Sequence, residues 1–166
     1  MYLWHFVGTN VVPIVIYGIQ LYGASSISVI DEIEKILKYF TRRLWIRSYN
    51  SNEFPDYHER LARFSLVPLE VQRIRFDMML LFRVVRNLSP IPFLSLPFSA
   101  INNDRLIINR INTKLYKRFF LHRSTMLWNK LVHIDSFKTQ SMSGFKQSLY
   151  EIDLLPFTEG CALKAV

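Results

Sequence analysis

A single cysteine, Cys161, stands in a chain of 166 residues. No disulfide can close within the chain, so its composition gives secretion no support. Glycine is also scarce, at five residues. None of them falls in a GxxxxGK(S/T), GxGxxG or GxSxG pattern, the signatures of phosphate cradles and nucleophile elbows. The four histidines, His5, His58, His122 and His133, lie far apart and have no cysteine at zinc spacing. The aspartates, Asp31, Asp56, Asp77, Asp104, Asp135 and Asp153, are isolated from one another. Two-metal phosphoryl chemistry needs carboxylates held close together, and no Tyr-any-Asp-Asp run is present. Glu32 and Glu34 belong to different faces of one helix. No catalytic residue, cofactor, metal ligand or small-molecule substrate is expected.

Charge is missing altogether from residues 1–30, and the first lysine is Lys35. A secretory signal would carry a basic start, so an intracellular location is favoured. As a membrane span, residues 1–24 barely reach the roughly 20 predominantly apolar residues required. They are interrupted by Asn10, Pro13, Gly18, Gln20 and Gly23. A membrane segment and a buried helix both fit this stretch, and the buried helix is favoured.

Half of the chain is apolar and 14% is aromatic, enough for a packed core. The net charge of +8 and pI of about 9.8 favour acidic partners, nucleic acid first and an anionic membrane second. Apolar stripes predict a mainly α or all-α fold, with helices near 3–23, 28–48, 57–64, 68–88, 123–131 and 143–153. In the second of these, Ile30, Ile33, Leu37, Phe40 and Leu44 recur at three- and four-residue steps. Ser28 with Asp31 reads as its capping box. Acids at its start and Arg42, Arg43 and Arg47 at its end complement the helix dipole. Asp56 with Glu59 predicts a cap for a short helix holding Leu61 and Phe64. Pro68 suits the first turn of a helix with the stripe Val71, Ile74, Met78, Leu81, Val85 and Leu88. Pro90, Pro92 and Pro97 mark a loop over 89–104. Residues 105–121 read as mixed extended structure. Ser124 is expected to cap a helix with Leu127, Trp128 and Leu131. Ser141 or Ser143 starts a helix with Phe145, Leu149 and Ile152, which Pro156 ends before a frayed tail.

One stretch combines bases with aromatics. From Arg105 to Lys130 there are seven bases and no acid, with Tyr116, Phe119, Phe120 and Trp128 interleaved. Bases attract phosphates and release counterions, and exposed aromatics stack on unpaired bases. The candidate nucleic-acid contacts are Arg105, Arg110, Lys114, Lys117, Arg118 and Arg123. A solvated basic face is the competing reading. Phe119, Phe120 and Trp128 are read as core.

Four runs carry a resemblance. The first holds Pro13, Tyr17, Gly18, Ile33, Glu34, Phe40, Thr41, Arg43 and Leu44. The second holds Tyr57, Arg60, Leu61, Leu66, Leu69, Glu70, Arg73, Asp77, Phe82 and Arg83. The third holds Phe119, Phe120, Arg123, Trp128, Asn129 and Leu131, and the fourth Phe145, Lys146 and Leu149. In order and spacing, over roughly residues 3–153, they resemble the C-terminal end of non-LTR (LINE, Jockey-like) retrotransposon reverse transcriptases. The family's Arg-Gly-His element is missing; Asn109-Arg110-Ile111-Asn112 stands near its place.

The resemblance implies a helical thumb-like bundle over 1–88, the loop 89–104, a basic helical extension over 105–155 and a tail over 156–166. It implies a chain beginning downstream of the polymerase palm, with a role in holding duplex or RNA–DNA hybrid rather than in catalysis. Two other readings stand beside it. One is a small membrane-associated protein anchored by residues 1–24. The other is a translated fragment without function.

Overall fold

Helices form where the apolar stripes run longest. The computed structural model describes residues 27–50, 53–86, 88, 105–108, 113, 119–133 and 141–161. Six helices lie among them: α1 (Ile27–Tyr49), α2 (Tyr57–Arg63), α3 (Leu69–Val85), α4 (Phe120–Leu131), α5 (Met142–Glu151) and α6 (Leu155–Cys161). No strand occurs among the described residues; Leu106 makes only an isolated bridge. The fold is mainly helical, as the stripes predict. The expected helix over 3–23 and the loop over 89–104 lie outside the described residues. The chain divides into two compact units, Met1–Gln72 and Arg73–Val166. The division falls inside α3.

In the first unit, α1 turns Leu37 and Leu44 into the core and half-buries Ile33 and Phe40. It begins at Ile27, so Ser28 already lies in the first turn and is not the N-cap that the Ser28–Asp31 pair predicts. Asn50 stops the helix at φ 47°, and its amide donates to the Ile46 carbonyl at 2.9 Å. Asparagine tolerates this left-handed position. Asp56 does cap α2: its carboxylate accepts from the His58 amide at 3.1 Å. The amides of Tyr57 and His58 hold that carboxyl below the usual range.

Leu37, Leu61 and Leu69 form one buried cluster, with Ile33, Phe40, Tyr57 and Leu66 packed against it. Fully burying one such leucine contributes about 1.5–3 kcal/mol. Pro68 supplies the carbonyl for the Gln72 amide at 3.1 Å. It therefore stands one residue before the first turn of α3 rather than in it.

In the second unit, Ile74, Met78 and Leu81 are buried as expected. Val85 is only half-buried and Leu88 is 55% exposed. The stripe stops because α3 ends at Val85, and the Leu88 amide folds back onto the Arg83 carbonyl at 2.8 Å. Phe82, outside the expected stripe, is fully buried and stacks on Phe145 at 4.2 Å. Helix α4 begins at Phe120, which takes two residues from the stretch read as extended. Ser124 is therefore not its cap. It lies one turn inside, buried, and its hydroxyl donates to the Phe120 carbonyl at 2.6 Å.

Ser141 caps α5 as expected, accepting from the Gly144 amide at 3.1 Å, and Phe145 and Leu149 are fully buried. Pro156 does not precede a frayed tail. It sits in the first turn of α6, where no amide is needed. The Leu155 amide there donates to Asp153 at 3.0 Å. No described helix is long and apolar enough to cross a membrane, and residues 1–24 lie outside the described set.

After α2 the chain reverses through Ser65, at φ 53°. The Leu66 amide donates to Leu61 at 2.8 Å and the Ser65 amide to Ala62 at 3.1 Å, the paired bonds of a Schellman motif. A side chain in this left-handed position costs roughly 1–2 kcal/mol. Ser65→Gly should therefore raise stability by about 0.5–1 kcal/mol after the extra unfolded-state entropy of glycine is offset. Urea unfolding checks this; a loss of stability would show that the serine side chain contributes a contact of its own.

Candidate nucleic-acid interface

Asp77 and Arg123 meet through a buried, two-pronged ion pair. Arg123 Nε donates to Asp77 Oδ2 at 2.6 Å, and its second nitrogen donates to Oδ1 at 3.0 Å. Both residues are under 10% exposed. Burial pushes the Asp77 carboxyl above its usual range, while Arg123 beside it, and then Arg73, pull the other way. The planar guanidinium fork matches a carboxylate, so the pair fixes α4 against α3 in both position and angle.

Arg123 thus leaves the set of phosphate contacts that the base-rich stretch suggests. Its charge is matched within the core. Its α3 partner is 46 residues away, which is why a count of bases along the chain misassigns it.

The other candidates fall in different places. Arg105 is exposed. Its neighbour Leu106 is buried and strapped to α4 by Asn129. The Leu106 amide donates to Asn129 Oδ1 at 2.9 Å, and Asn129 Nδ2 donates to the Leu106 carbonyl at 2.8 Å. Arg105 is thereby anchored beside α4. Arg110, Lys114, Lys117 and Arg118 lie outside the described residues.

The aromatics separate. Trp128 is buried, 6.1 Å from the Phe145 ring, and Phe120 is half-buried. Phe119 is 49% exposed, against the expectation of core, because it stands at the N-cap of α4, before the helix turns its apolar face inward.

In the first unit two of the bases at the end of α1 have local partners. Arg42 lies over Phe54 at 4.3 Å, and Arg43 donates to the Tyr39 hydroxyl at 2.9 Å. Arg60 reaches back to α1, its Nε 3.5 Å from the hydroxyl of fully buried Thr41, and donates to the Pro55 carbonyl at 2.5 Å. Tyr57 donates to Glu34, and burial with that bond drives its phenol far above the ordinary value.

One arrangement has no counterpart in the sequence reading. Arg75 of α3 lies 4.2 Å over the ring of Tyr150 of α5, with Lys146 at 5.9 Å from the same ring. The only trace in the sequence is the spacing of Arg75, Arg83 and Arg86 on one helix face.

Among the described residues, no group of His, Cys, Asp and Glu could hold a metal ion. No family model matches the chain, and no curated protein and no solved structure matches it either.

Arg123→Ala would leave Asp77 buried and unmatched, and should cost about 3–5 kcal/mol. Replacing both partners with apolar residues, Asp77→Leu with Arg123→Met, should recover most of that loss. Denaturant unfolding of the three proteins checks this. A double variant as weak as the single one would show that the pair itself, not the stranded charge, carries the stability.

Proposed function

We propose that this chain is a non-catalytic, nucleic-acid-positioning helical module akin to the C-terminal thumb and extension of non-LTR retrotransposon reverse transcriptases. It binds duplex or RNA–DNA hybrid weakly and with little sequence preference. The single observation that supports this most is that residues from the four resembling runs meet as pairs. Glu34 and Thr41 of the first run bond Tyr57 and Arg60 of the second. Asp77 and Phe82 of the second bond Arg123 of the third and stack on Phe145 of the fourth. Trp128 of the third lies against the same Phe145. The contacts fall into two sets, one within each unit, and each set joins residues of different runs.

The physical role follows from the charge. Positioning a duplex needs cations at phosphate spacing on a rigid support. Arg105, held by the Leu106–Asn129 strap, is one such cation, and Arg110, Lys114, Lys117 and Arg118 follow it in the sequence. Membrane anchoring through residues 1–24 is the competing reading, and those residues lie outside the described set.

Fluorescence anisotropy with a labelled RNA–DNA hybrid tests the proposal. Nonspecific affinity should lie around 10⁻⁴ to 10⁻⁶ M at physiological salt. Replacing Arg110, Lys114, Lys117 and Arg118 with Gln should flatten the log–log salt slope by roughly 3 to 4, equally for every sequence. Primed RNA, nucleotides and Mg²⁺ should give no extension. Absence of salt-dependent binding, or reproducible extension by the pure protein, would overturn the proposal.

A further inference from the structure

Helices α3 and α5 cross antiparallel. Phe82, late in α3, stacks on Phe145, early in α5, while Arg75, early in α3, covers Tyr150, late in α5. Ile74, Met78, Leu81, Phe82, Phe145 and Leu149 are all buried, while Phe76 of α3 is 37% exposed.

Beside Phe76, the charged groups that face out between residues 73 and 86 are basic. At 3.6 residues per turn, Arg75, Arg83 and Arg86 fall within an arc of ~80° and extend over about 16 Å of helix axis. Arg83 and Arg86 are exposed, as is Lys146 on α5. The only acid from residue 73 to 86 is Asp77, which is turned inward onto Arg123. The only acid on α5 is Glu151, which accepts from Gln147 at 3.0 Å and lies about 100° around the helix from Tyr150. The Arg75 Nε makes no hydrogen bond among the described residues. Its guanidinium is held by a ring that is itself 52% exposed.

The geometry points to a second nucleic-acid surface on α3 and α5, where Arg75, Arg83, Arg86 and Lys146 take successive phosphodiesters of one strand and Tyr150 packs against a sugar or base. This rests on the positioning role proposed above and adds a surface distinct from residues 105–118.

An ordinary solvated basic face would carry interspersed carboxylates. Here the one carboxylate between residues 73 and 86 is consumed in the core, and two cations converge on a single exposed ring. Guanidinium forks suit phosphate oxygens, and an aromatic amid cations suits a nucleic-acid strand. A bilayer fits less well, because a membrane-surface helix needs a whole apolar face free to insert, and Phe76 is the one large apolar side chain that α3 exposes among the described residues.

The test uses the full chain, a labelled RNA–DNA hybrid and a salt series. The protein with Arg110, Lys114, Lys117 and Arg118 replaced by Gln should keep a residual slope of about −3. Adding Arg75→Gln, Arg83→Gln, Arg86→Gln and Lys146→Gln should abolish that residue of binding. A charge-keeping set, Arg75→Lys, Arg83→Lys, Arg86→Lys and Lys146→Arg, should retain it. This set separates lost charge from lost folding, which circular dichroism and melting monitor. Tyr150→Ala should weaken binding several-fold with the slope unchanged, and Tyr150→Phe should not.

If the unaltered protein binds no hybrid, the positioning role itself falls. If it binds and the α3–α5 Gln set leaves the slope unchanged in a folded protein, this surface alone is overturned. Loss of binding to phosphatidylserine vesicles, with hybrid binding intact, would also overturn it in favour of a lipid surface.

Discussion

The buried contact between Asp77 and Arg123 is the constraint around which the second unit is organised. A carboxylate and a guanidinium taken out of water each cost several kcal/mol. Only mutual pairing at 2.6 and 3.0 Å makes their burial tolerable. The pair demands that α3 and α4 meet at one rotation, and the rest follows from that. Trp128, about one and a half turns along α4, then faces Phe145, and Phe145 stacks on Phe82 of α3. The strap from Asn129 to Leu106 ties the entering chain to the same helix. The pair also removes the only acid between residues 73 and 86 from the surface, so that Arg75, Arg83 and Arg86 have no carboxylate interspersed among them along that part of the chain.

The first unit is held by a different balance. Its core is small and aliphatic, built on Leu37, Leu61 and Leu69. Two polar links, Tyr57 to Glu34 and Arg60 to Thr41, set α2 against α1. Arg60 is nearly buried, yet its cation has a carbonyl, a hydroxyl and the Tyr57 ring around it. Buried arginines thus serve as structural forks in both units, which reduces the number of bases free to meet a partner below what the net charge of +8 suggests.

What was legible in the sequence was what depends on near neighbours. The stripes of α1 and α3 gave both helices, and Asp56 and Ser141 gave caps because each bonds an amide two or three residues on. What was not legible depends on distant partners. Arg123 looks like one base in a basic run until Asp77 is brought to it. Ser124 looks like a cap because the apolar stripe of Leu127, Trp128 and Leu131 begins only after it, whereas the helix starts at Phe120. Phe119 and Phe120 are adjacent and chemically identical, and only the start of α4 decides which is exposed. The Arg75–Tyr150 contact joins residues far apart in the chain, and no periodicity announces it.

We propose that a scaffold set by Asp77 and Arg123 presents cations to the phosphates of a nucleic acid. The most direct measurement is an amide chemical-shift titration of the labelled protein with an RNA–DNA hybrid. The account predicts shifts at Arg75, Arg83, Arg105 and Lys146 that fade as salt rises, with the amides of Met78, Leu127 and Leu149 nearly still. Shifts confined to residues 1–24, or no shifts at low salt, would contradict it.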